Sequence, residues 1–333
     1  MKKEYDVYAI GNAIVDYQIE IDDAFLQSNN VEKAMMTLVD EERQTTLIAA
    51  AGDKIKAKEG GGSAANTIVA LSKLGGKGYY SCKVADDEDG KFYLKDLTDN
   101  GLATNLDIEI LPEGVTGKCL VMVSPDTERT MNTFLGITAN YSIEELNEES
   151  LKASQYLFIE GYLVTSPTGM EAMMKAKKIA QENGVKVSLT FSDPSMVKYF
   201  KDQMSEIVGE YVDLLFCNEE EAMLFTDTDS LEAARESLKK VAKRFAITQG
   251  QNGAMIWDGD TFVDIEPYTV KAVDSNGAGD MFSGAFLYAI TNGHNYASAG
   301  KLASKAASQV VAKFGPRLSK EMMQEIKKEV FSV

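Results

Sequence analysis

Histidine, tryptophan and cysteine are scarce in this chain: 333 residues include one His, one Trp and three Cys, with only six Pro. A single histidine excludes a His-x-x-x-His zinc pair. The residue is His294, just past a helix-ending glycine, a surface position that argues against a hydrolase triad as well. Cys82, Cys119 and Cys217 are far apart and odd in number, with no Cys-x-x-Cys pair, which points to a reduced, cytoplasmic setting. Gly-Lys pairs begin at Gly76, Gly90, Gly117 and Gly300, but none is followed by Ser or Thr, so there is no P-loop. Gly-x-Gly-x-x-Gly and Gly-x-Ser-x-Gly are missing too, which removes the dinucleotide fingerprint and the nucleophile elbow. No segment is apolar for long enough to span a membrane. The run Val7–Val15, interrupted by Asn12, is too short for that and lacks a cleavage-site pattern, so it reads as a buried first strand. Positive charge is also short: 34 Lys and Arg stand against 51 Asp and Glu, a net charge of -17. That balance argues against nucleic acid or anionic membranes as partners. A phosphate site in such a chain must gain positive potential locally, from helix ends, a metal ion and a few Arg or Lys.

The length exceeds the ~100–200 residues usual for one domain, so a large domain with a smaller one fits. A domain near 300 residues buries roughly 75% of its unfolded surface and needs no metal or disulfide staple.

Asp274-Ser275-Asn276-Gly277-Ala278-Gly279-Asp280 is the most informative stretch present. Phe282, Ala285, Phe286, Ala289 and Ile290 after it follow the spacing of a core-facing helix, and Gly293 stops it. Three residues with little or no side chain precede Asp280. Their backbone N–H groups can face a ligand at the positive end of the helix dipole, a natural anion site. An anion cradle with a base at its rim is what phosphoryl transfer to an alcohol requires. Gly-Ala-Gly-Asp taken alone also fits a tight loop with an N-capping Asp.

Strand-like runs occur at 5–14, 79–84, 156–159, 185–191, 214–217, 244–248 and 254–257. Helical patterns at 169–183, 230–243 and 296–314 separate many of them. This alternation predicts an α/β fold with a mostly parallel central sheet and helices on both faces. Residues 17–38 and 107–135 break the alternation with short strands and turns at Pro112-Glu113-Gly114 and Pro125-Asp126. They read as a small β lid; residues 1–16, 39–106 and 136–333 form the large domain. A lid suits a kinase because water otherwise competes as the phosphoryl acceptor.

Other segments carry weaker signals. Glu59-Gly60-Gly61-Gly62-Ser63-Ala64-Ala65-Asn66 precedes a helix and lets backbone approach a ligand closely; a flexible loop with a Ser cap is the alternative, but three consecutive glycines ahead of a good helix favour the ligand reading. Asn12 and Asp16 follow the first strand, where open α/β sheets bind ligands, although Asp16 also suits a turn. Asn218 and Glu221, one helical turn apart, can face a Mg²⁺ hydration shell, or can simply cap a helix. Thr248-Gln249-Gly250-Gln251-Asn252-Gly253 suits a turn over a nucleotide and equally an ordinary hairpin. Arg129, on the expected lid, can swing onto phosphate oxygens; a solvated strand residue is the alternative.

Taken together and in order, these segments resemble the PfkB/ribokinase family of small-molecule kinases over nearly the whole chain. Gly61-Gly62-Ser63-Ala64-Ala65-Asn66 resembles the family's first signature, and Asp274 through Asp280 its second. The resemblance implies a ribokinase-like fold, with Asp280 as general base and the Gly277, Ala278 and Gly279 amides as the anion hole. It implies that Asn12, Asp16, Gly61, Gly62 and Asn66 hold sugar hydroxyls, with Glu160 beside them. Asn218 and Glu221 would organise Mg²⁺ and phosphates, while Thr248, Gly250 and Gly253 would line the ATP site with Asn276. Ser304, on the late helix, is the candidate at the adenine. In some relatives a monovalent cation such as K⁺ sits near the counterparts of Asp274 and Asn276. The segments 128–136 and Ser192-Asp193-Pro194 resemble the adenosine-kinase-like branch. The expected acceptor is therefore a nucleoside, phosphorylated on its 5′-hydroxymethyl group, with Tyr17, Phe134 and Tyr162 as residues to stack on a base. A free sugar such as ribose or fructose, and a catalytically silent ligand-binding regulator, are the alternatives. Related enzymes include monomers and homodimers.

Overall fold

The computed structural model describes residues 3–33, 35–125 and 129–331. The chain opens with β1 (Tyr5–Ile10), β2 (Ile14–Glu20), β3 (Met36–Leu38), β4 (Ile55–Gly61) and β5 (Gly78–Ser81). β6 (Ala103–Thr104), β7 (Gly117–Val123), β8 (Arg129–Phe134) and β9 (Ser154–Glu160) follow. β10 (Lys186–Thr190), β11 (Leu214–Asn218), β12 (Phe245–Thr248), β13 (Ala254–Trp257) and β14 (Phe262–Ile265) complete the set.

Among the described residues, nine strands form one sheet in the order β14-β13-β12-β11-β10-β9-β1-β5-β6. Pairing is parallel from β6 through β12, and β13 and β14 are antiparallel. Alternation along each strand explains how both faces are covered. Val7 and Ala9 enter one apolar cluster while Tyr8 and Ile10 enter the other, and Phe158 and Ile159 on β9 divide in the same way. Chain order reverses between β1 and β9, so the carboxyl ends of these strands open onto a natural ligand crevice.

Among the described residues, five strands form the second sheet, in the order β3-β8-β7-β2-β4. It too is two-faced. Leu120 and Met122 of β7 pack with Ile19, Phe25, Leu26 and Leu47 in a small core, against the helices Asp23–Ser28 and Glu41–Ala51. Cys119 and Val121, the alternate residues, face the crevice.

The small sheet takes in more chain than 17–38 and 107–135. It begins at Ile14, and β4 and the helix Glu41–Ala51 come from the 39–106 stretch expected in the large domain. β4 reads Ile-Lys-Ala-Lys-Glu-Gly-Gly, too charged and glycine-rich to look like a strand. Conversely, 107–116 holds turns and bends rather than a strand. The single run expected over 5–14 is two strands, broken at Gly11. A Cβ on that glycine would lie 2.4 Å from Glu160 Oε2 and 2.6 Å from Ala64 Cβ, so only glycine passes the crossing. Asp126, the second residue of the expected Pro125-Asp126 turn, lies outside the described residues. No helix among those described is long and apolar enough to cross a membrane, and all three cysteines are buried and free.

Candidate active site

A cleft of about 590 Å³ lies between the two sheets, a size typical of small-molecule sites. Its floor is built from the carboxyl ends of the parallel strands: Glu160 on β9, Thr190 on β10, Asn218 on β11 and Thr248 on β12. Its roof is one face of the small sheet, with Ile14, Met36, Leu38, Val121 and Met131 presenting an apolar surface.

The 274–280 loop enters the helix Ala278–Thr291 at the edge of this cleft. Gly277 sits at φ 73, and a Cβ there would be 2.4 Å from Pro316 Cβ. Gly279 is the opposite case: a Cβ would meet nothing within 4 Å, because that side faces the cleft. The Ala278 N–H is drawn back to Ser275 O at 3.3 Å. Those of Gly277, Gly279 and Asp280 have no acceptor among the described residues, as expected for the first turn of a helix. The donor set therefore fits an anion such as a phosphoryl group.

Asp280, third in that helix, receives Ser63 Oγ at 2.6 Å and Asn66 Nδ2 at 3.1 Å. Its carboxyl is partly open to the cleft. Desolvation nevertheless raises its pKa to about 6, against the two hydrogen bonds and the Arg317 charge, which lower it. Ser63 lies inside the glycine-rich segment, and its hydroxyl bonds Asp280 rather than capping its own helix.

Glu160 is fully buried and uses both oxygens within the protein. Oε1 accepts from the Asn12 backbone and side chain at 3.3 and 3.0 Å, and Oε2 accepts the Ala64 N–H at 2.7 Å. Burial outweighs these bonds and brings its pKa to about 7. Asn12 is bound to Glu160 and to Thr138. Asp16 differs: its carboxylate has no hydrogen bond among the described residues, lines the cleft, and is raised to about 7 by desolvation. Gly61 is the reason Asp16 fits, since a Cβ there would fall 2.5 Å from Asp16 Oδ2.

Asn218 and Glu221 form a capping box on the helix Glu219–Thr226. The Asn218 side chain accepts the Glu221 N–H at 2.8 Å, and Glu221 accepts the Asn218 N–H at 2.9 Å and its Nδ2 at 3.1 Å. Glu221 is buried, lines the cleft, and is raised to about 7 by desolvation. With its oxygens so engaged it fits water-mediated contact to a divalent ion, and a Mg²⁺ that arrives with nucleotide phosphates needs few direct protein ligands. Among the described residues no group of three or more His, Cys, Asp or Glu side chains is placed to hold a metal by itself.

Arg129 crosses from the small sheet to pair with the buried Asp274, which also accepts the Asn276 and Gly315 N–H groups, each at 3.0 Å. It is thus neither solvated nor pointed at open space. Gly62, Asn66, Asn276, Gly277 and Ala278 line the cleft, but Gly61, Gly250, Gly253 and Ser304 do not. Gly250 is exposed, Gly253 packs under Ile265 O, and Ser304 is buried within the helix Tyr296–Val311. Tyr162 lines the cleft, whereas Tyr17 and Phe134 do not. Each is next in sequence to a cleft-facing strand residue or loop residue, and Tyr17 on the far face donates to Asp89 at 2.6 Å. The apolar roof was legible in principle as alternation along β3, β7 and β8. Arg317, far along the chain, gave no signal.

A family model described as pfkB family carbohydrate kinase matches residues 33–322. The chain belongs to the pfkB family of carbohydrate kinases. As a family member it is a phosphotransferase with an alcohol acceptor, a sugar or nucleoside kinase, and its two-sheet architecture is ribokinase-like. It is similar to adenosine kinase from Sinorhizobium meliloti, whose solved structure superposes with a TM-score of 0.88 at 31% identity, covering 98% of this chain and 99% of that one. Adenosine kinase from Saccharomyces cerevisiae is 25% identical, over 94% of this chain and 96% of its own. 5-Dehydro-2-deoxygluconokinase from Clostridium perfringens is 24% identical, over 93% and 88%.

Proposed function

We propose that this pfkB-family kinase transfers the γ-phosphoryl group of ATP to the 5′-hydroxymethyl group of a nucleoside, adenosine-like in its base. The observation that carries this reading is a cleft with two unlike walls. Asp16 and Asp280 offer carboxylates to hydroxyl groups, while Met36, Leu38, Val121 and Met131 offer a surface that a planar base would cover and a free sugar would leave wet. Similarity to adenosine kinases supports the same choice.

Asp280 acts as the base. An unperturbed Asp, with pKa ~3.9, is a weak base; this one, near 6, is stronger yet largely ionised at neutral pH. In a loose transition state the hydroxyl becomes acidic only as its bond to phosphorus forms, so a moderate, well-placed base suffices. The free amides of Gly277, Gly279 and Asp280 stabilise charge on the migrating group. Arg129, released from Asp274, would add a cation to the phosphate oxygens. Asn218 and Glu221 would hold Mg²⁺ through water, and that ion supplies charge neutralisation of the nucleotide phosphates. Thr248 and Asn276, which line the cleft, are assigned to ATP. With the Arg129 guanidinium already on Asp274, K⁺ there would have to share that carboxylate. The small sheet serves as the lid that excludes water.

A free sugar is the second reading, favoured by the similarity to 5-dehydro-2-deoxygluconokinase. ADP release measured across adenosine, other nucleosides, ribose and fructose separates them. Adenosine is expected to give the highest kcat/KM. Faster turnover of a free sugar would replace the nucleoside reading, and no ADP with any acceptor would favour a silent binding protein.

A further inference from the structure

Asn66 is held at both ends of its amide. Its oxygen accepts from Arg317 Nε at 2.8 Å, and its Nδ2 donates to Asp280 Oδ2 at 3.1 Å. A guanidinium only donates, so the Asn66 atom facing Arg317 has to be the oxygen, which leaves the –NH₂ end on Asp280. Arg317 is anchored in turn: Nη1 donates to Asp96 Oδ2 at 2.6 Å, and its side chain is 8% exposed. It lies in the connection between the helices Tyr296–Val311 and Lys320–Phe331 and does not line the cleft. Its Nη2 is buried with no hydrogen-bond partner among the described residues.

We propose that Arg317 is a positioning residue for the phosphoryl-transfer base: by fixing the Asn66 amide it fixes the orientation of the Asp280 carboxylate and favours its charged form. The inference rests on the reading of Asp280 as the base. The groups facing Asp280 are Ser63 and Asn66 on the helix Ser63–Lys73, Arg317 in its loop, Asp16 on β2, Glu160 at the end of β9, and Tyr162 just beyond. Of these, Arg317 is the cation, while Asp16 and Glu160 oppose ionisation. Removing Arg317 therefore takes away a favourable charge and frees the amide to turn its oxygen toward Asp280, and both effects favour protonation.

Two readouts test this. In the free protein, ¹³C-carboxyl NMR follows the titration of Asp280, assigned by the resonance that disappears in Asp280→Asn. Arg317→Gln is expected to move that titration to higher pH, and Asn66→Leu, which leaves the Arg317–Asp96 pair in place, to move it the same way. In turnover of adenosine and ATP, Arg317→Gln is expected to lower kcat at pH 7 by about 10²-fold, the loss typical of a misplaced catalytic group, with part recovered at higher pH. In the Asp280→Asn background the same substitution should cost almost nothing further. An unmoved titration in a folded variant overturns the proposal, as does a loss that multiplies with that of Asp280→Asn. Full activity of Asp280→Asn would instead overturn the assignment of the base itself.

Discussion

Two carboxylates occupy the same place on two helices and do different things. Glu221 is the third residue of Glu219–Thr226, and Asp280 is the third residue of Ala278–Thr291. Both line one cleft, and both are pushed up in pKa by desolvation, to about 7 and about 6. Glu221 is long enough to reach back to its own N-cap, Asn218, and close a capping box. Asp280 is one methylene shorter, and its N-cap is Gly277, which has no side chain to share. Its oxygens are met instead by Ser63 and Asn66, more than two hundred positions earlier in the chain. A carboxylate satisfied within its own turn serves the helix. One satisfied from across the domain is held at the edge of the cleft.

Substitution should separate the two. Asp280→Asn keeps the shape and removes the proposed base, so kcat is expected to fall at least ~10²-fold with ATP affinity little changed; near-normal turnover would erase the distinction. Glu221→Gln keeps a capping box, since Gln also suits that position. It is expected to leave kcat at saturating Mg²⁺ little changed while raising the Mg²⁺ midpoint about 10-fold, as loss of an outer-sphere partner does. A large fall in kcat would move Glu221 into the chemistry.

The pH dependence sharpens the comparison further. With Asp280 as the proposed base, turnover needs its ionised form, so kcat/KM should fall as pH drops through about 6. Stability moves the other way for these groups. Asp16, Glu160, Glu221 and Asp280 all have folded values above their unfolded ones, so their contribution is full below about 4 and is lost as pH rises through 6 to 7. Asp16, with no hydrogen bond to offset burial, is the cleanest probe. Asp16→Asn should gain stability relative to the parent between pH 5 and 8 in urea melts, and a constant difference would refute the burial argument. The smallest effect is Asn218→Ala, expected to cost about 1 kcal/mol of unfolding free energy through the lost cap.

Much of this was legible beforehand, and the exceptions share a cause. The parallel sheet, the helices and the 274–280 loop follow from short-range pattern. β4 is hidden because its lysines and glutamate face partly outward and its glycines allow close approach of Asp16 at Gly61 and of Asp96 at Gly60. Tyr17 was misplaced because a one-residue step along β2 sends a side chain to the other face. Asn66 was expected to hold a hydroxyl, yet both ends of its amide are bound to Arg317 and Asp280. Ser304 and Arg317 are illegible in opposite ways: Ser304 looks like a contact in the sequence but is buried in its helix, and Arg317 carries no motif but bonds Asn66 behind Asp280.

Local sequence determined the alternation of strands and helices, the glycine-bearing turn at 277, the open amides after it and the capping box at 218–221, because each depends on dihedral preference and neighbours a few positions away. Which carboxylate faces a hydroxyl, which amide end it meets and which arginine stands behind it were decided only when β1, β9 and the helices at 63, 278 and 320 came together. Hydrogen bonds and desolvation act over a few ångströms of space, and no spacing along the chain encodes that distance.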